Sequence, residues 1–158
     1  MGEAFWRFAL VLYSRPGVAE ALLRLQDRDG FDVNLILFAL WSGAVLRRRL
    51  DAADLAAAEA AAKPLSNDIV APLRALRRRL KPAAELDVQD LRRRIAALEL
   101  AVERRVQYRL AGLLPAANSE TDAVAAAETN LALYLGPTCA ASIEAASLRK
   151  ALAGLARR

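Results

Sequence analysis

The sequence predicts an all-α fold, a compact bundle of about seven to eight helices forming one domain over residues 1–158. Two observations carry this. Apolar residues recur at spacings of three and four along nearly the whole chain. No run of alternating β-branched residues stands between turn signals. Helix start and stop residues then divide the pattern into elements.

The first helix is expected over Glu3 to Tyr13, with Phe5, Phe8, Ala9 and Leu12 on one face and Trp6, Leu10 and Tyr13 beside it. Ser14 and Pro16 break it. A second helix turns Val18, Leu22 and Leu25 inward and runs out at Asp29 and Gly30. Asp32 is a good N-cap for a third, central helix from Val33 to about Arg49, whose arginine-rich last turn suits the negative end of the helix dipole. Asp51 caps an alanine-rich fourth helix, Ala52 to Lys63, in which Leu55 is the sole large apolar residue. Pro64, Ser66 and Asn67 interrupt the pattern before a fifth helix reaching about Leu80, with Pro72 in its first turn or at a kink. Asp87 caps a long sixth helix, Val88 to Ala111, ended by Gly112. Leu91, Ile95, Leu98, Val102, Val106 and Leu110 form its seam. Leu113 to Asn118 reads as a loop. Ser119 with Asp122 reads as a capping box for a seventh helix ending at Gly136, and Thr138 caps an eighth reaching about Leu155.

Composition bounds the function. With 56% hydrophobic and 26% charged residues the chain is globular, not disordered. Histidine, the usual general base near neutral pH and the commonest metal ligand, is absent. That removes Ser-His-Asp and Cys-His hydrolysis, histidine-ligated zinc and proximal-histidine haem. One cysteine, Cys139, allows neither an internal disulfide nor a cysteine-only metal site. Glycine-rich phosphate loops are also missing, so the residues point to binding without catalysis, metal or cofactor. The net charge of +5 tilts the choice of partner toward anions. All but three of the 23 basic residues are arginine, which suits a GC-rich bacterial genome. The start of the chain does not read as a signal peptide. The longest apolar stretch, Leu35 to Leu46, falls short of the ~20 residues that span a bilayer, so a cytoplasmic location is expected.

Two blocks carry a family resemblance: FWRFALVLYSRPGVAEALLRLQDRDGFDVNLILFALWSGA at Phe5 to Ala44, and IVAPLRALRRRLK at Ile69 to Lys81. They resemble a small group of proteobacterial proteins catalogued only as a domain of unknown function. The resemblance implies a shared fold and transfers no catalytic residue.

Two constellations remain. LRRRL occurs at Leu46 to Leu50 and again at Leu76 to Leu80, and LRRRI at Leu91 to Ile95. An antiparallel fifth and sixth helix would gather Arg77, Arg78, Arg79 and Lys81 with Arg92, Arg93 and Arg94 at one basic end. Arg92 to Arg94 stand near a helix N-terminus, where the dipole disfavours them. The bland alternative is a solvated face balanced by Glu85, Asp87 and Asp90. The second constellation sets polar residues into apolar helices. Asn34, Trp41, Arg74, Glu99 and Glu103 are a candidate polar pocket, and the spacing of four between Glu99 and Glu103 is that of paired carboxylates. The bland alternative is a structural hydrogen-bond network. Trp6, Phe5, Phe8, Phe31, Phe38 and Trp41 read as core, with a small-molecule pocket or an exposed homodimer patch as the alternatives.

The leading expectation is a non-enzymatic interaction module docking a protein partner through the basic end. The alternative is a small-molecule binder taking an anionic ligand or a divalent metal. Nucleic acid is the third reading, since no aromatics interleave the basic runs.

Overall fold

The computed structural model describes residues 1–115 and 122–156, and among these every regular element is helical. The elements are α1 (Gly2–Tyr13), α2 (Val18–Asp29), α3 (Val33–Ala44), α4 (Ala52–Leu65), a π-helical turn (Ser66–Val70), α5 (Ala71–Arg79), α6 (Leu86–Ala111), α7 (Ala123–Ala140) and α8 (Ile143–Ala156).

Helix α3 is the centre, as its composition predicts: every residue from Asn34 to Gly43 is buried. Its start is fixed by Asp32, whose Oδ1 accepts the Asn34 amide at 2.8 Å. At its other end Gly43 sits directly on α7, where an added Cβ would overlap the backbone of Ala126 and Ala127. Glycine is required there by the close approach of two helices. Phe5, Phe38 and Trp41 pack together beside it, with the Phe5 and Trp41 rings stacked at 4.9 Å. The surrounding core draws on α1, α2, α4, α6, α7 and α8. Helix α4 contributes Leu55, Ala58 and Ala62, a narrow stripe that lets its backbone come close. Its start carries the capping box of Asp51 and Asp54.

Two buried polar residues tie elements together, one through backbone and one through side chains. Asn130 of α7 accepts from the Leu50 amide at 2.8 Å and donates to the carbonyls of Ala39 and Arg48. It thereby grips the connection between α3 and α4. That grip accounts for a departure from expectation. Helix α3 stops at Ala44, and Arg47 to Arg49 form an irregular linker, with Arg47 at φ 52°, not a helical last turn. Glu144, buried in the first turn of α8, is faced by Arg28 and Arg24 of α2 and so joins those two helices.

Other expectations shift for local reasons. Pro64, Ser66 and Asn67 do not end the helical path; a π turn absorbs the irregularity and delivers Pro72 into the first turn of α5. Helix α6 begins at Leu86 with Glu85 as its cap position, so Asp87 lies inside the first turn. Its inward face is not the expected leucine seam. Leu91 and Leu98 are about half exposed, whereas Ile95, Glu99, Val106, Gln107 and Leu110 are buried. A strict seven-residue stripe drifts around a straight helix over 26 residues, and the polar face of α6 is turned inward. Gly136 does break α7, with φ 71° and ψ 169° before Pro137, but the chain stays helical to Ala140. Ser142, not Thr138, caps α8, its Oγ accepting from the Ala145 amide at 3.2 Å. Asp122 is the N-cap of α7, bonding the Ala125 amide at 2.7 Å. Ser119 and residues 116–118 of the expected loop lie outside the described residues, while Leu114 before them is buried.

The contact at Gly43 predicts a contrast between two glycines. Gly43→Ala is expected to lower stability by about 1–3 kcal/mol through overpacking. Gly154→Ala in α8, where an added Cβ meets open space, is expected to leave stability unchanged or raise it by up to ~1 kcal/mol. Urea denaturation of the two variants checks this.

Candidate ligand site

Helix α5 buries none of its residues. It is held instead by charge. Arg74 donates from Nε to Glu99 Oε1 at 2.8 Å and from Nη2 to Glu103 Oε1 at 2.6 Å. Arg77 donates from Nε to Glu99 Oε2 at 2.6 Å. As α5 advances by three residues its partner on α6 retreats by four, so the two helices run antiparallel, as their short connection predicts. On the other flank Arg78 reaches Asp27 of α2 at 2.9 Å.

Between α5, α6 and the core lies a chamber of about 350 Å³. Trp6, Leu10, Tyr13, Leu23, Leu37 and Leu100 give it a largely apolar wall; Asn34, Arg74, Arg77, Glu99, Glu103, Gln26 and Gln107 give it a polar one. A second, more polar cleft of about 160 Å³ lies against the π turn and is bordered by Asp32, Ser66, Asn67 and Val70. The two share Gln26, Val33, Asn34 and Arg74. A third hollow, about 340 Å³, lies elsewhere on α1 beside Phe8, Val11 and Leu152 and is apolar apart from Arg7.

Four of the five residues in the sequence-predicted pocket therefore line one chamber: Asn34, Arg74, Glu99 and Glu103. Trp41 does not; its ring is buried in the core against Phe5 and Phe38. Glu99 and Glu103 share a face, but their carboxylates are spent on arginine. Among the described residues no three cysteine or carboxylate side chains gather as a metal site. Asn34 Oδ1 accepts from Gln107 Nε2 at 3.1 Å, a buried amide pair.

The electrostatics separate the two glutamates. Burial pushes the Glu99 carboxyl up, but hydrogen bonds from Arg77 and Arg74 outweigh it and hold Glu99 below the ordinary carboxylate value of 4.5. Burial dominates at Glu103, whose carboxyl is held above that value despite Arg74. Burial likewise raises the Tyr13 phenol.

Of the seven cations assigned to a basic end, Arg77 belongs to the chamber, Arg78 is paired with Asp27, and Arg93 is paired with Asp90 at 3.1 Å. Arg79, Lys81 and Arg94 are exposed, and no ion pair among the described residues holds them. Arg92 is half-buried, with its Nε unpartnered.

Sequence reasoning missed Gln26, Ser66 and Gln107. Each holds a buried side-chain atom without a hydrogen-bond partner: Gln26 Nε2, Ser66 Oγ and Gln107 Oε1. The signal for Gln107 was present, since Glu99, Glu103 and Gln107 recur every four residues on one face of α6. Nothing in the sequence marks Gln26 or Ser66, because the π turn that places Ser66 follows from tertiary packing.

Replacing each glutamate by glutamine should give opposite results. Glu99→Gln is expected to cost on the order of 1–3 kcal/mol at pH 7 by leaving Arg77 without a carboxylate and Arg74 with Glu103 alone. Glu99 has a depressed value, so its contribution is present above pH 4.5 and lost as pH falls through the folded value; the difference from wild type should shrink there. Glu103 has a raised value, so its ionisation opposes folding above that value. Glu103→Gln should match or exceed wild type at pH 7, with any gain fading below pH 4.5. Denaturant titrations at pH 7 and pH 3.5 read both.

A family model described as "Protein of unknown function (DUF2390)" matches residues 4–110, a span that takes in every residue lining the two adjoining hollows. No curated protein and no solved structure matches the chain. With most of its length inside that match, the chain belongs to the DUF2390 family.

Proposed function

We propose that this chain is a small-molecule-binding helical protein whose ligand occupies the two joined chambers between α1, α2, α3, the π turn, α5 and α6. One observation carries this reading: three buried polar atoms without protein partners, on Gln26, Ser66 and Gln107, stand around the same pair of hollows. Buried polar groups are ordinarily satisfied, and a ligand satisfies them here. The volume falls in the lower part of the range usual for small-molecule sites, roughly 300–1,000 Å³. Recognition without turnover suits a chain with no histidine, and the reading takes residues 1–158 as a single domain working in the bacterial cytoplasm. No helix among the described residues is long and apolar enough to cross a membrane.

A thermal-shift screen of a fragment collection tests the site. A fragment at 100 times its Kd is expected to add about 2.7 kcal/mol of stability. Leu100→Trp, which fills the chamber mouth, should abolish the shift while the protein stays folded. Val11→Trp, beside the separate apolar hollow, should leave it intact. A shift lost in Val11→Trp and kept in Leu100→Trp would sink this reading.

Docking of a protein or other anionic partner on the basic end is the second reading, carried by Arg79, Lys81 and Arg94, which stay exposed without carboxylate partners among the described residues. Nucleic acid is one form of it. Binding of a labelled single-stranded oligonucleotide should then weaken steeply with salt and drop in Arg79→Glu/Arg94→Glu. Salt-independent binding, or none, removes the nucleic-acid form.

A further inference from the structure

Resting on the reading of the joined chambers as a ligand site, we infer that the ligand is an uncharged amphiphile: an apolar chain or ring in the 350 Å³ chamber, and a neutral hydrogen-bonding head of amide or hydroxyl type in the 160 Å³ cleft beside the π turn.

The absence of net charge follows from the walls. In the large chamber two arginines face two glutamates, and Glu99 has both oxygens occupied by Arg74 and Arg77. An anionic head would have to take Arg74 from Glu99 and Glu103, leaving buried carboxylates uncompensated. A cationic head would meet Arg74 and Arg77 beside the same carboxylates. Either exchange breaks ion pairs that are largely removed from water, the costly direction for such pairs. A neutral head leaves the circuit closed.

The division into head and tail follows from where the unused hydrogen-bonding capacity lies. The chamber is bounded chiefly by Trp6, Leu10, Leu23, Leu37 and Leu100. The cleft is bounded chiefly by polar side chains, and two of the three unpartnered atoms belong to residues at its rim: Gln26 Nε2, a donor, and Ser66 Oγ, a donor and an acceptor. An amide or a hydroxyl offers both complements at once. Ser66 opens the π turn, its carbonyl accepting from the Ala71 amide five residues on. Such turns occur preferentially at functional sites because they shift one side chain out of helical register. Asn34 and Arg74 border both hollows, which therefore adjoin each other.

The probes are hexanamide, hexanoate and hexylammonium, one six-carbon chain with three heads, titrated into the full chain and read by tryptophan fluorescence and thermal shift. Hexanamide is expected to bind saturably and the two ions roughly tenfold more weakly or worse. Ser66→Ala and Gln26→Leu should each weaken hexanamide by roughly threefold to tenfold. Neither should lower the Tm of the free protein, since the atoms removed have no partner to lose; a merely structural role would lower it. An ion binding as tightly as hexanamide would overturn the uncharged ligand and leave the pocket standing. Unchanged hexanamide affinity in both variants would overturn the placement of the head. Failure of all three probes, together with a blank fragment screen, would remove the pocket reading itself.

Discussion

The burial of α3 on every side is the constraint from which the rest of the structure follows. A helix with ten consecutive buried residues needs a neighbour in every direction, and the chain supplies α7, α1, α2, α4 and α6. The contact is uneven along its length. At the C-terminal end Gly43 lets α7 approach until backbones meet. At the N-terminal end Val33, Asn34 and Leu37 border the large chamber, and the neighbours there do not close on it. One helix thus carries the tightest packing of the fold at one end and its hollow at the other.

Charge closes what packing leaves open. Helix α5 buries no residue, so its place depends on Arg74 and Arg77 against α6 and on Arg78 against α2. Exposed ion pairs contribute about 0–1 kcal/mol each, and the partly buried Arg74 and Arg77 pairs have both desolvation and strong hydrogen bonds to balance. Of the walls of the chamber, α5 is the one whose displacement exposes least apolar surface.

The sequence made the helices legible, together with the caps Asp32 and Asp51, because helical periodicity and capping chemistry are local. It also brought Asn34, Arg74, Glu99 and Glu103 together as a polar group, since polar residues inside apolar helices have few places to go. What it hid was set by long-range contacts. The end of α3 is decided by Asn130, some eighty residues downstream, gripping Arg48 and Leu50. Arg77 reads as one cation of a run, yet it differs from Arg78 and Arg79 because one step of the helix turns it toward Glu99. Trp41 reads both as core and as a pocket residue, and its place is in the core, stacked on Phe5.

Interior polar residues ask for an account of their partners, and the accounting here leaves a remainder. Glu99 and Glu103 are explained by two arginines, Asn130 by three backbone groups, and Asn34 in part by Gln107. A network serving stability alone would close on itself, since each group left unpaired inside a protein costs about 1–3 kcal/mol. Among the described residues it stays open at Gln107, Gln26 and Ser66, which border the two adjoining hollows from α6, α2 and the π turn, and also at Trp41 Nε1 in the core, which borders neither. Unused hydrogen bonds on three elements that border the same two hollows are what the proposed ligand site rests on.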